Sequence, residues 1–224
     1  MQLHFEHLNL RYNPFGTLDY KKWSASIIGN GKDYLPYIGK KKTVLFLGSE
    51  GVGKTSHMLS LQRHFDNPVY VRLPEFSTLT AFETIKIPDV PVLLLDECQR
   101  LLPWQFPFVF RKDRTVVLCS HRNHSFALSL LGWKTKIIRI SQDNSLKVHQ
   151  ILQHKIELSR RTSREIPQIS IQHVEYFRRK YGSIIRSMEH ELYEIFQNAT
   201  SITDVYRELD LRVHEHNNEM NLNS

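Results

Sequence analysis

Eight residues of this chain have the spacing that phosphate chemistry needs. They are Gly48-Ser49-Glu50-Gly51-Val52-Gly53-Lys54-Thr55, which fits a glycine, four variable positions, then glycine, lysine and threonine. Glycines let backbone N–H groups close around phosphate oxygens with no side chain in the way. A helix that begins at the lysine adds the positive end of its dipole. Lys54 can bridge the β- and γ-phosphates of a nucleoside triphosphate, and the Thr55 hydroxyl can bind the magnesium that neutralises them. Residues 48 to 56, with Ser56 as the last, are the expected nucleotide contacts.

Two carboxylates can supply the rest of the chemistry. Asp96 and Glu97 end the run "VLLLDE". A carboxylate at Asp96 can hold the magnesium shell, with Thr55 as the second protein ligand. A carboxylate at Glu97 can orient and deprotonate the water that attacks the γ-phosphate. A third polar group follows "TVVLCS": Ser120, His121 or Asn123 can sense the γ-phosphate or place the water. Ser120 is nearest the strand end and His121 has the longer reach.

These groups need elements to hold them. Val44 to Leu47 reads as a buried strand, and Met58, Leu59, Leu61 and Phe65 give the next segment a helical pattern. Strand, glycine loop and helix is the context that identifies a phosphate-binding P-loop. Further strands are expected at 69–73, 92–97, 115–120 and 136–140, with a short helix over Thr80 to Lys86. Continuous apolar runs indicate strands covered on both faces, as in a parallel sheet. Residues 146–161 have helical spacing. From Ser170 the strand signal disappears. Ser170 is a candidate N-cap and Gly182 a stop, "SIIRSMEHELYEIFQN" repeats apolar residues three or four apart, and one more helix is expected after Ser201 or Thr203. The last residues, "NNEMNLNS", read as a frayed polar tail.

The fold expected is α/β: a five-stranded parallel P-loop NTPase sheet between helices, with a small C-terminal all-helical lid. Its divisions are an N-terminal arm at 1–40, the α/β core at 41–144, the lid at 145–200, and a C-terminal helix and tail at 201–224. A chain of 224 residues, 41% hydrophobic, can bury one good core with room for a small second domain.

Thirty basic against 23 acidic residues give a formal +7, a balance that suits an anionic partner. Contributing clusters are Lys40-Lys41-Lys42, Arg160-Arg161 with Arg164, and Arg178-Arg179-Lys180. Two cysteines at the ends of expected buried strands indicate a reducing compartment rather than a disulfide framework. No apolar run approaches the ~20 residues that span a bilayer, and the N-terminus lacks a basic-then-apolar leader, so a soluble cytoplasmic protein is expected.

The order of P-loop, Asp-Glu strand, polar-tipped strand and helical segment resembles the AAA+ ATPases. "YGSIIRSMEHELYEIF" is similar to their sensor-2 segment, which implies that Arg186 reaches back to the γ-phosphate. Three residues separate Gly182 from Arg186 where the family has two, and Ser183 can take the glycine's place. The N-terminal "RYNPFG" resembles a subgroup, the transposition-regulating and secretion-associated AAA+ ATPases. There Tyr12 or Phe15 would pack near adenine or anchor a core. The resemblance implies ATP and Mg2+ as ligands, and a protein partner or self-oligomer. DNA is a further candidate. An arginine finger in trans would have to come from "HRNHSFALSLLGWKTK", where Arg122 is the only arginine.

The expected activity is ATP hydrolysis, with Glu97, Lys54, Ser120 and Arg186 as the catalytic group and nucleotide state coupled to a partner. A nucleotide-dependent switch with little turnover is the first alternative, and a P-loop kinase the second.

Overall fold

The computed structural model describes residues 4–16, 27, 31–75, 87–141 and 143–222. The helix expected over Thr80 to Lys86 lies outside these residues. The chain divides into two compact units, Ile27–Ser141 and Met1–Ser26 with Gln142–Ser224.

The first unit is built on five parallel strands: β1 (Lys42–Leu47), β2 (Val69–Arg72), β3 (Val92–Asp96), β4 (Thr115–Ser120) and β5 (Lys134–Arg139), in the order β2-β3-β4-β1-β5. After β1 the chain passes through α1 (Lys54–Gln62) to the far edge. It then returns through β3 and β4 to fill the gap, and lays β5 on the other side of β1. The ends of β1, β3 and β4 are therefore neighbours in space though distant in sequence. Crevices beyond the carboxyl ends of such strands are where α/β sheets bind ligands.

Burial follows the apolar runs at the centre. Val44 to Phe46, Leu93 to Leu95 and Val116 to Cys119 are fully buried. The edges differ. β2 is only half-buried, and β5 alternates exposed and half-buried residues from Lys134. The expectation of two-sided cover thus holds for three strands. β5 carries exposed lysines at 134 and 136 because one of its edges has no neighbouring strand.

One face of this sheet packs Leu45, Leu93, Leu95, Val116 and Leu118 against Phe106, Val109, Phe110, Leu128 and Trp133. Those come from α2 (Phe106–Val109), α3 (Ser125–Leu130) and the turns beside them. The opposite face carries α1 and a 3-10 helix, Gly31–Tyr37, with Tyr34 and His57 around Phe46 and the Met58 sulfur 3.7 Å from the Cys119 thiol. Both cysteines are free and buried.

The second unit is helical: α4 (Ser145–Ser159), α5 (Ile171–Tyr181), α6 (Ile185–Asn198) and α7 (Ile202–Leu222). Ser170 caps α5 as the sequence indicates, in a reciprocal box with His173. Gly182 ends it at φ 61°. α7 runs to Leu222, through most of the expected frayed tail, because no glycine or proline interrupts the chain after Gly182.

Residues 4–16 belong to this helical unit. Arg11 N–H donates to Ser159 O at 2.7 Å, and the Asn9 amide donates to three carbonyls at 162, 164 and 165. Asn13 donates to Tyr193 O at 3.0 Å and accepts from Phe15 N–H, and the Phe15 ring meets Phe196 edge-on at 5.2 Å. Of the two roles open to Phe15, core anchor is the one its surroundings describe. Among the described residues no helix is long and apolar enough to cross a membrane.

Candidate active site

The loop after β1 has the backbone its glycines allow. Gly51 and Gly53 take φ of 78° and 95°, where any side chain would be strained. Gly48 is required for another reason. A Cβ there would lie 2.6 Å from Ile140 O and 3.0 Å from Val52 Cγ2. Its N–H donates to Ser120 O at 3.3 Å, which ties the loop to the end of β4. Val52 is buried and plugs the loop, while Ser49 and Glu50 face solvent.

Lys54 opens α1 and is 7% exposed. Its ammonium donates to Ser49 O at 2.6 Å, across the loop. Gly53, at the N-cap, has no side chain to satisfy the first-turn N–H groups of the helix. Uncapped donors at a helix N-terminus together with a lysine in its first residue suit an anion. Thr55 and Ser56 complete the first turn, both half-buried.

Asp96 is the joint between the two motifs. It is 2% exposed, and each of its oxygens is used. Oδ2 accepts from the Thr55 hydroxyl at 2.8 Å and from the Tyr70 hydroxyl at 3.0 Å, and Oδ1 accepts from Glu97 N–H at 2.9 Å. Burial, then the Asp96 charge, pushes the Tyr70 phenol well up, so Tyr70 remains a donor. A hydroxyl and a carboxylate side by side are hard oxygen donors, and so fit magnesium.

Glu97 leaves the strand in the left-handed region at φ 59° and starts a 3-10 turn, Cys98–Arg100. That turn folds Gln99 back onto it. The Gln99 amide donates to Glu97 Oε2 at 2.5 Å, and its oxygen accepts from the Ser120 hydroxyl at 3.0 Å. Arg100 lies 3.6 Å from the same Glu97 oxygen and also donates to Leu73 O at 2.7 Å. Cys98, between these polar residues, points into the core, where burial pushes its thiol up to about 12. That burial favours the protonated thiol.

The three polar candidates after β4 part company. Ser120 is 1% exposed and holds Gln99, and it also accepts from Arg122 N–H at 2.9 Å. Asn123 accepts from Ser125 N–H at the start of α3. His121 is exposed. Arg186 is an exposed residue in the first turn of α6, in the helical unit. The P-loop, Asp96, Glu97 and Ser120 are brought together in the sheet unit. Tyr70, Gln99 and Arg100 join them without a motif to announce them. Only the position of Gln99, two residues beyond the acidic pair, offered a local signal.

No family model and no curated protein matches the chain. Solved structures do. That of C. elegans PCH-2, an AAA+ ATPase, aligns over 90% of this chain and 67% of that chain, with a TM-score of 0.51 and 11% identity. At that identity the likeness speaks for the fold alone. What the two share is the fold: a five-stranded parallel sheet with flanking helices and a C-terminal helical region.

Proposed function

We propose that the chain binds Mg-ATP in the loop after β1, hydrolyses it, and passes its nucleotide state to a protein partner or a second copy of itself. The 2.8 Å bond between Thr55 and Asp96 carries this reading. It joins the helix that follows the loop to the end of β3 through the two groups best suited to a shared cation. Lys54 and the N–H groups of the loop and of the first turn would receive the phosphates. Thr55 and Asp96 would hold magnesium, which supplies charge neutralisation at the phosphate oxygens.

Glu97 would act on water. As the water oxygen bonds to the γ-phosphorus, the bond to the bridging oxygen breaks and the proton passes to the Glu97 carboxylate. Gln99, held by Ser120, sets the direction of that carboxylate. Ser120 thus acts through Gln99 as a positioning residue.

One observation favours a slower protein. Gln99 and Arg100 both lie against Glu97 Oε2, and a carboxylate oxygen engaged by an amide and a guanidinium is a weaker base. That supports the nucleotide-dependent switch as the second reading.

The test is phosphate release from Mg-ATP together with binding of a fluorescent ATP analogue. Wild type should turn over. Glu97→Gln should bind and not turn over, and Lys54→Ala should lose binding. A wild type that binds and releases nothing would put the switch first, and one that does not bind would remove both readings.

A further inference from the structure

Five lysines gather at the end of the sheet that the P-loop does not use. Gly39 and Lys42 exchange backbone hydrogen bonds at 3.2 and 2.9 Å, closing a tight turn with Lys40 and Lys41 at its tip. Lys42 opens β1 directly opposite Lys134, which opens β5, and Lys134 N–H donates to Lys41 O at 2.8 Å. Lys136 lies two residues along on the same face of β5, its ammonium 4.9 Å from the centre of the Tyr37 ring. Lys40, Lys42, Lys134 and Lys136 are exposed, and Tyr37 is 41% exposed. Among the described residues none of the five pairs with a carboxylate.

Like charges held this close repel one another, and the fold has accepted a further cost to place them. Lys41 sits at φ 55°, a left-handed position that glycine or asparagine takes with less strain. Lysines on an exposed edge strand can serve only to deter pairing with other strands. That accounts for Lys134 and Lys136. It does not account for Lys42, on a strand paired on both sides, or for the turn at Lys40 and Lys41.

Nor is ATP the anion these lysines await. The strands are parallel, so Lys42 and the P-loop stand at opposite ends of β1, five residue steps or roughly 17 Å apart. The partner must instead be a repeating anion that can meet several lysines at once. A lipid surface would call for exposed apolar side chains beside the charges. Among the described residues Tyr37 and Leu130, which ends α3 four residues before Lys134, are the large exposed apolar side chains nearest in sequence to the cluster, and two such side chains do not make the apolar face that a bilayer surface takes up. We infer that the turn at 39–42 and the start of β5 form a docking surface for the phosphodiester backbone of nucleic acid, duplex DNA in the first instance. The surface is separate from the nucleotide site and does not depend on hydrolysis there. Contacts of this kind bind without reading sequence and weaken steeply with salt.

The experiment is fluorescence anisotropy of a labelled duplex of mixed sequence, titrated with full-length wild type and with the variant Lys40→Gln, Lys42→Gln, Lys134→Gln, Lys136→Gln, at salt from about 50 to about 300 mM. Lys54→Ala is run beside them, and vesicles rich in anionic phosphatidylserine serve as the competing surface. The quadruple variant should bind duplex at least about 10-fold more weakly, with a slope of log affinity against log salt shallower by about 2 or more. It should melt as wild type does and keep its ATP binding. Lys54→Ala should lose ATP and keep DNA, which separates failure of this surface from failure of the P-loop reading. Equal affinity and slope for the quadruple variant and wild type would overturn the proposal. So would wild type that ignores duplex at the lowest salt, or that binds the vesicles in its place.

Discussion

Gln99 holds Glu97 by one end and Ser120 by the other, with hydrogen bonds of 2.5 and 3.0 Å. The end of β4 thereby fixes a side chain that leaves the end of β3. Replacing Gln99 with alanine removes the direction of the carboxylate but not the carboxylate. The expected result is a fall in kcat of about 10- to 100-fold with the KM for ATP nearly unchanged, because a misplaced base costs rate more than binding. Gln99→Glu should not rescue, since a second carboxylate cannot donate to the first. Steady-state kinetics of the two variants beside Glu97→Gln decide it. A matched fall in rate and affinity would instead mean that the loop itself had collapsed.

Tyr70 makes a similar argument for the metal side. Its hydroxyl shares Asp96 Oδ2 with Thr55. Tyr70→Phe keeps the ring and removes that bond. Groups that orient metal ligands carry much of a site's affinity, so the magnesium needed for half-maximal nucleotide binding should rise about 10-fold. Titrating magnesium at fixed ATP measures this. An unchanged requirement would leave Tyr70 as packing for the sheet edge.

The contrast between these residues and the motifs explains what could be read early. The P-loop is local: glycine backbone freedom, the lysine and the threonine all act within nine residues, so their spacing was enough. The place of Asp96 at a strand end was legible because Val92 to Leu95 form a continuous apolar run. Tyr70 meets Asp96, and Gln99 meets Ser120, only through strand order, which sets β3 between β2 and β4. The turn at Glu97 needed a positive φ at a residue that is not glycine, and composition gives no sign of that. In the helical unit, Asn9 and Asn13 tie residues 4–16 to the far end of the sequence. Their amides bond to carbonyls more than 150 positions away, and no local pattern carries that information.

Gly48 offers a test of the fold rather than of the chemistry. The strand-end carbonyl of Ile140 occupies the space a methyl group would need, at 2.6 Å, and backbone cannot yield as a flexible side chain can. Gly48→Ala should cost about 1–3 kcal/mol, as overpacking does elsewhere. Thermal melting should show the loss with or without ATP. Gly16→Ala makes an informative control, because an added Cβ there meets its nearest neighbours at 3.4 Å, an ordinary contact, on backbone that is not left-handed. Equal melting of the two variants would refute the close approach of the loop to residue 140.

The helical unit carries its own titratable centre. Glu191 is 9% exposed and accepts from the Tyr181 hydroxyl at 2.5 Å, and from the Tyr176 hydroxyl and the Lys180 ammonium at 2.9 Å each, with Arg212 at 3.4 Å. Burial alone would raise its carboxyl. The hydrogen bonds from Tyr181, Lys180 and Tyr176 outweigh that and hold it below the usual 4.5. A carboxylate depressed in the folded state contributes stability that is fully present above the unfolded value. That stability is lost as pH falls through the folded one. Glu191→Gln should therefore cost about 1–3 kcal/mol at neutral pH, the range for removing a charged partner from a buried network. The difference from wild type should begin to shrink below about pH 4.5, where the unfolded carboxyl takes up its proton, and should be gone once the pH has fallen through the lower folded value. Chemical denaturation at a series of pH values, followed by circular dichroism at a helix wavelength, reads both quantities. A gap between the two proteins that stays constant down to the acid limit would show that Glu191 stabilises by shape and not by charge.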